Sequence, residues 1–263
     1  MIKQLIDGQD FWAEIVKRLS KGEKTNFFFS EEEVLQLVQK GKISRLDFDG
    51  GVYFFVTEEN LYRLYYFLEK EKSPEVLPRL QQPIILEEVH LATKERIPSK
   101  DTWEKIGFQH YLERKRMYLM AKNIAFEERE PSFATEEILE EIFLLMNESF
   151  EPFSSALPTK EALLKDIQEQ RVLISLKNQN LLGFLHFGDE KQGSMLWHIA
   201  VLPQARGLGV GEGLLQDWFL ARKDIAKKFM LWVRTDNPPA LRMYEKHGFL
   251  PDGRVAPVMI KTT

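Results

Sequence analysis

A glycine-rich loop, Val201-Leu-Pro-Gln-Ala-Arg-Gly-Leu-Gly-Val-Gly211-Glu-Gly-Leu-Leu215, constrains this chain more than any other stretch, because it joins an apolar run to an amphipathic one. Ser194 to Val201 is apolar and β-prone, whereas Leu214, Leu215, Trp218 and Phe219 recur at the spacing of one helix face. The pattern predicts a strand, a tight loop and a helix. Glycines at such a junction let backbone N–H groups approach an anion closely, and the helix N-terminus adds its positive end. Strand-to-helix turns also use glycine for ordinary steric reasons, so the loop alone does not fix a ligand.

Two familiar phosphate-binding designs do not fit. A P-loop ends in Gly-Lys-Ser/Thr, whereas this loop ends Gly211-Glu-Gly. A dinucleotide fold places an acidic residue about 20 positions on, and Asp224 lies nearer, inside a Lys-rich helix end. The residues after the loop are more specific: an apolar strand, Phe229 to Val233, and then Asn237-Pro-Pro-Ala240-Leu-Arg-Met-Tyr244-Glu-Lys-His-Gly248-Phe249. Arg206-Gly-Leu-Gly209-Val-Gly211 fits Arg/Gln-x-x-Gly-x-Gly, and Gln204-x-x-Gly207-x-Gly209 fits it two residues earlier. The Arg206 register leaves Leu214-Leu215 where such loops carry an apolar pair. Together these motifs resemble the acetyl-CoA-binding core of the GNAT N-acetyltransferase superfamily.

That resemblance implies an α/β (α+β) fold, a mixed and mostly antiparallel sheet flanked by helices, with acetyl-CoA as acyl donor and no metal. It implies that the cofactor diphosphate lies on Arg206, Gly207, Leu208, Gly209, Val210 and Gly211, and that the pantetheine arm pairs with the strand Trp197-His-Ile-Ala-Val201. Main-chain N–H groups of Ile199 and Val201, with Ala200 between them, are then candidates for cofactor contact and for polarising the acetyl carbonyl. The same residues are plain β-formers. Asn237 is an N-cap by position, and the resemblance adds a cofactor contact; Ala240 is small where the next helix would pass close to the cofactor. Tyr244 matches the family tyrosine beside the thioester sulfur. A tyrosine near 10 and an alkyl thiol near 8.5 make full proton donation uphill by about 2 kcal/mol, so a hydrogen bond to the developing thiolate is the safer role. Core packing is the competing reading of Tyr244.

The general base is less determined. N-terminal-amine acetyltransferases related to ribosomal-protein modification resemble the chain around Ile199-Ala-Val201 and Val233-Arg-Thr-Asp-Asn237, and some carry a glutamate at the position matching Trp232. His198 alternates onto the face opposite Trp197 and is a candidate catalytic group relaying a proton, or else a packing residue. Glu148 and Glu151 lie in the loop that shapes acceptor sites in this superfamily and are candidates for binding a cationic amine; a solvated loop explains them equally well.

Composition suits an ordinary soluble enzyme. With 263 residues, 44% hydrophobic and 12% aromatic, the chain is long enough for two small domains. A formal net charge of -4 with interleaved acids and bases argues against a nucleic-acid surface. The absence of cysteine excludes disulfides, thiolate metal sites and a cysteine nucleophile, and the five histidines fall in no metal-ligand spacing. No stretch approaches the about 20 apolar residues of a membrane span, so no membrane partner is expected and the default location is the cytoplasm. Sequence says nothing of oligomeric state.

Tyr244-Glu-Lys-His-Gly-Phe249 has an echo at Trp103-Glu-Lys-Ile-Gly-Phe108. Its surroundings match in order: strands over 25–29 and 51–56, a helix over 58–70, a strand over 84–91, and an apolar-alternating tail over 109–120. This predicts residues 1–125 as a degenerate GNAT-like lobe without its own cofactor, and residues 126–263 as the catalytic GNAT domain. An unrelated α+β domain containing the echo is the competing reading. The first half has no glycine cradle, only Thr57-Glu-Glu, and Trp103 replaces the tyrosine. The boundary is expected in Glu127-Glu-Arg-Glu-Pro-Ser132. Beyond it the pattern predicts a helix capped by Thr135, another beginning near Thr159, and a hairpin of Val172–Leu176 and Leu181–Phe187 around Asn178-Gln-Asn180.

The function expected is acetyl transfer from acetyl-CoA to the amine of a small molecule or peptide. A CoA-binding sensor without turnover and a transferase of longer acyl groups stay open.

Overall fold

The computed structural model describes residues 2–94, 98–124, 129–191 and 193–262. The chain forms two compact units, Met1–Arg114 with Gly253–Thr263, and Lys115–Asp252. Strand pairing, rather than the composition of a linker, sets this division: it falls inside a strand, Gln109–Met120, and the last strand contributes to the first unit. The expected boundary at 127–132 lies elsewhere, with residues 127 and 128 outside the described residues.

In the first unit the described elements are β1 (Lys3–Gln4), α1 (Gly8–Ser20), β2 (Lys24–Thr25), α2 (Glu31–Gln39), β3 (Ile43–Phe48), β4 (Gly51–Thr57), β5 (Tyr62–Leu68), β6 (Ile84–Glu87), β7 (His90–Leu91), α3 (Lys100–Lys105) and the start of β8 (Gln109–Met120). Asp7 caps α1 by accepting from Gln9 and Asp10 N–H, and Ser30 with Glu33 forms a capping box on α2. β3, β4 and β5 pair antiparallel, and β6 runs parallel to β5. β4 is apolar throughout because both its faces are covered. Val52, Phe54 and Val56 meet Phe11, Ile15, Val34 and Val38 from the helices, while Tyr53 and Phe55 face Trp103 and Phe108.

The helix expected over 58–70 is instead β5. Its alternation is two-residue, with Leu64, Tyr66 and Leu68 in one core and Phe67 and Tyr65 in the other, and it pairs with β4 from Gly51↔Leu68 to Thr57↔Tyr62. The strands expected over 25–29 and 84–91 are shorter, reduced to β2 and to β6 with β7.

The second unit contains the rest of β8, then α4 (Leu139–Ser149), α5 (Lys160–Gln168), β9 (Val172–Lys177), β10 (Asn180–Glu190), β11 (Gly193–Val201), α6 (Val210–Arg222), β12 (Lys228–Arg234), α7 (Pro238–Lys246) and the start of β13 (Leu250–Lys261). Its sheet order is β8-β12-β11-β10-β9; β9, β10 and β11 pair antiparallel, and β12 runs parallel to β11. The β9–β10 turn holds Asn178 and Gln179 at φ of 51° and 66°, the geometry of a two-residue hairpin. Thr159 caps α5 by accepting from Ala162 N–H. Thr135 does not act as the expected cap: a short 3₁₀ turn, Glu136–Ile138, intervenes without a side-chain bond. One face of the sheet packs on α6 through Leu196, Leu214, Leu215, Trp218 and Phe229, and the other on α4 and α5 through Ile142, Met146, Leu163, Phe184 and Ala200.

Leaving aside the short strands β1, β2 and β7, each unit runs through two helices, three antiparallel strands, a parallel strand and a helix. They differ between the parallel strands, where the second unit has α6 and the first has no helix among its described residues. No helix of the described residues is long and apolar enough to cross a membrane.

Candidate active site

Strands β11 and β12 pair only from Gly193↔Lys228 to Leu196↔Leu231, and then part. The cause lies on the other edge of β11. Opposite β10 the register slips between His186↔His198 and Phe187↔Leu196, so Trp197 is an extra residue, a β-bulge that bends the strand. Trp197 is 46% exposed, and its indole lies so close over Gly188 that a Cβ there would be 2.0 Å from the ring. Gly188 is therefore required by Trp197.

Parting exposes an edge of backbone. Leu202 N–H donates to Leu182 O, which puts Ala200 N–H on the β10 side and turns the N–H groups of Ile199 and Val201 toward the gap. No strand pairs with 197–201 on that side among the described residues. Arg206 Nε donates to the Val201 carbonyl at 3.3 Å, closing the end of this edge.

The glycine loop lies at the same end of β11. Gly207 and Gly209 hold φ of 77° and 79°, which only glycine adopts without strain, and a Cβ on either would meet nothing within 4 Å. Gly209 is the N-cap of α6, and the first bond into the helix is Gly213 N–H to Gly209 O at 2.9 Å. The N–H groups of Val210, Gly211 and Glu212 consequently have no acceptor among the described residues. The loop presents an open array of donors at a positive helix end, which fits a diphosphate. Gly211 differs from the other two glycines, since its added Cβ would stand 3.1 Å from Met243 Sδ of α7. Its smallness lets α6 and α7 approach. Trp218 Nε1–H bonded to Ser194 Oγ at 2.9 Å fixes α6 onto β11. The Lys246 ammonium, 2.8 and 3.0 Å from the two Glu212 oxygens, neutralises the acid in the first turn and holds its carboxyl below the usual range.

Asn237 caps α7, its Oδ1 accepting from Ala240 N–H at 3.2 Å. Ala240 packs half-buried on the α6-side core. Tyr244, on the same helix, is buried at 3% exposure, and its hydroxyl makes no hydrogen bond among the described residues. Burial alone pushes this phenol well above its ordinary pKa.

The opposite face of the sheet carries His198, buried at 8% exposure, with the Phe150 ring 5.1 Å away edge-on. Trp232 alternates onto that same face, because Leu231 and Val233 belong to the α6-side core. The Arg116 guanidinium stands 5.9 Å over its ring and bonds Asp252 at 2.6 Å. Glu148 is exposed at the end of α4. The Glu151 carboxylate accepts from Phe153 and Ser154 N–H at 2.9 and 2.8 Å and from Ser154 Oγ, so it shapes its own loop.

Sequence reasoning did not single out His186 or Asp166. His186 lies opposite His198 across the β10–β11 ladder, with Nδ1 atoms 3.3 Å apart, and its Nε2 is 2.9 Å from Asp166 Oδ2. Two histidines on paired predicted strands were the available signal, but a bulge decides which residues face each other.

The first unit closes the equivalent gap. β5 and β6 pair only to Leu64↔Leu86, and beyond that point β2 pairs with β5. Asn26 spans the opening: Nδ2 donates to Leu64 O and Glu87 O, both at 3.0 Å, and Oδ1 accepts from Tyr66 N–H at 2.9 Å.

The acetyltransferase (GNAT) family profile matches residues 138–249. The chain is 47% identical over 53 residues to an N-alpha-acetyltransferase of Sulfurisphaera tokodaii, covering 19% of this chain and 32% of that protein. It is 28% identical over 99 residues to a Bacillus subtilis protein provisionally named ribosomal protein bS18-alanine N-acetyltransferase, covering 36% of this chain and 66% of that protein. The chain thus spans at most about two thirds of these curated relatives. The crystal structure of a GCN5-related N-acetyltransferase from Sphaerobacter thermophilus shares the fold with a TM-score of 0.60 at 13% identity, over 99% of this chain and 95% of that one. The chain thus carries a domain, residues 138–249, that matches the acetyltransferase (GNAT) family.

Proposed function

We propose that the second unit transfers an acetyl group from acetyl-CoA to a primary amine, by direct attack, with one cofactor per chain. The observation that carries this reading is the parting of β11 from β12 beside a loop in which the N–H groups of Val210, Gly211 and Glu212 lack acceptors among the described residues. Acetyl-CoA would supply the acetyl group as an activated thioester. The N–H groups of Gly207 to Glu212 bind its diphosphate, and those of Ile199 and Val201 line the gap where an acyl arm and its carbonyl would lie. Tyr244 holds its proton at the hydroxyl in an apolar pocket. Because burial raises its pKa further, it donates a hydrogen bond to developing negative charge and does not give the proton up.

His198 is the base on the acceptor face. A peptide α-amine, with a pKa near 8, is only about tenfold protonated at pH 7, so one imidazole is sufficient to free it. The names of the curated relatives point to the same class, and peptide N-termini are the first acceptors to try. Glu148 adds negative charge near the mouth for a cationic amine. The first unit is a degenerate copy of the same architecture that has become scaffold.

Labelled acetyl-CoA incubated with the chain and a panel of peptides with free N-termini, followed by mass spectrometry, tests this reading. Acetylated α-amines are expected. Tight CoA binding with no transfer to any amine, including those of a cell extract, would replace it with a sensor role.

A further inference from the structure

Behind His198 runs a row of enclosed polar side chains that acetyl transfer, as described, leaves unused. His186 is 2% exposed and Asp166 9%. The row continues from His198 Nδ1 to His186 Nδ1 at 3.3 Å and from His186 Nε2 to Asp166 Oδ2 at 2.9 Å. The second oxygen, Oδ1, accepts from Arg171 Nε at 2.9 Å and from Arg171 Nη2. Arg171 in turn pairs with Glu169. These are the charged groups that face the imidazoles from α5 and the turn after it. Phe150 covers the His198 ring, and Trp197 stands edge-on to His186 at 4.8 Å.

Donor chemistry assigns the protons. Burial raises a carboxyl pKa, but here the hydrogen bonds from His186 and Arg171 outweigh it and hold Asp166 below the usual range. Asp166 is therefore an acceptor only, and neutral His186 must carry its proton on Nε2 and its lone pair on Nδ1. Across the 3.3 Å contact His198 Nδ1 is then the donor, which leaves the His198 lone pair on Nε2. The reversed arrangement, with His186 donating through Nδ1, requires a doubly protonated His186. The same contact geometry thus serves two states that differ by one proton.

We propose that Asp166 and His186 are positioning residues that make His198 a relay base: they fix its basic tautomer and receive the proton it takes. The inference rests on the reading of His198 as the base for the acceptor amine. His198 Nε2 takes a proton from the acceptor ammonium; one acceptor N–H bond breaks, one Nε2–H bond forms, and the amine keeps the electron pair for attack. The His198 Nδ1 proton moves to His186 Nδ1, and the positive charge settles on His186 beside the Asp166 carboxylate. After the product leaves, the reverse shift returns a proton to water at His198 Nε2. A buried imidazolium is costly unless paired, and Asp166 provides the pairing.

The test uses the full chain and has two arms. In the first, nitrogen NMR of the histidine rings is recorded against pH with no substrate, for the wild type, Asp166→Asn and the conservative Asp166→Glu. The wild type is expected to show His186 as the Nε2–H tautomer and His198 as the Nδ1–H tautomer. Asp166→Asn should mix the tautomers, and Asp166→Glu should restore them. In the second arm, acetyl-CoA and a peptide with a free α-amine serve as probes. His198→Gln should lower kcat about 100-fold or more at pH 7. Asp166→Asn should give a smaller loss, displace the acid limb of the rate profile to lower pH and leave the KM for acetyl-CoA unchanged. His198 found as the Nε2–H tautomer, or an Asp166→Asn protein whose tautomers and pH profile match the wild type, overturns the relay while leaving the transferase reading intact. No transfer by the wild type to any amine overturns the reading beneath it.

Discussion

Phe249 closes the helix that carries Tyr244: its backbone N–H donates to the Tyr244 carbonyl at 3.0 Å, and the two rings stand 5.8 Å apart at 63°. Gly248 between them holds φ of 85° and donates to Glu245 O. In the first unit Phe108 N–H donates to the Trp103 carbonyl at 3.1 Å, the rings are 5.6 Å apart at 79°, and Gly107 holds φ of 95°. The echo in the sequence therefore encodes a helix stop with a left-handed glycine and an apolar clasp across it. Chemistry depends on what stands opposite the aromatic residue, and there the two units differ.

That closure predicts the cost of Gly248→Ala. The added Cβ would lie 3.5 Å from Leu119 Cδ1, an ordinary contact, so the penalty comes from the backbone angle and should be about 1–2 kcal/mol. Gly248→Asn should cost less, because asparagine tolerates this region. Urea unfolding of the two variants measures the difference; equal stabilities would show that the φ constraint is not the cause.

The loop is tested by a matched pair, Gly209→Asn and Gly209→Asp, both of which tolerate φ of 79° better than other residues. Only aspartate adds a negative charge at the N-terminus of α6. CoA affinity by calorimetry should be about tenfold or more weaker for aspartate than for asparagine, from charge repulsion at an effective dielectric near 20. Equal affinities would remove the diphosphate from this loop.

Tyr244→Phe should lower kcat by about ten- to ten-thousandfold with CoA affinity nearly unchanged, because the phenol matters as charge develops. An unaltered kcat where chemistry limits the rate would leave Tyr244 as core packing only.

A single CoA should bind each chain, and Gly209→Asp should weaken that site. Asn26 occupies the gap in the first unit with three hydrogen bonds. Asn26→Ala should therefore destabilise the protein by about 1–3 kcal/mol, the cost of buried groups left unpaired, without creating a second site. Two CoA equivalents in the wild type would contradict the idea that this unit is scaffold.

Asp166 links stability to acid. Its folded pKa is depressed, so its contribution is fully present above the unfolded value of about 3.9 and is lost as pH falls toward the folded value. Asp166→Asn should be less stable than the wild type at neutral pH, with the gap narrowing below about pH 4. Melting temperatures followed from pH 7 to pH 3 provide the measurement; a constant gap would mean that the loss is packing rather than charge.

The second unit was legible from its own local patterns. Residues 193–201, 210–222, 228–234 and 238–246 form the predicted strands and helices, because loop glycines, helix-face spacing and an N-cap act over a few residues. In the first unit local pattern misled at 58–70: aromatic residues at two-residue spacing become a strand only when β4 is there to pair with them. Composition also failed to place the division between units, which depends on which strand pairs with which. Chain chemistry by itself determined the donor loop, the tyrosine and the helix stops. Tertiary structure decided the rest: the bulge at Trp197 that parts β11 from β12, the Asn26 side chain that fills the matching gap in the first unit, and the meeting of His198, His186 and Asp166 from three separate elements. Each depends on strand register and long-range packing, where a shift of one residue turns a side chain to the other face, and no local signal in the sequence carries that information.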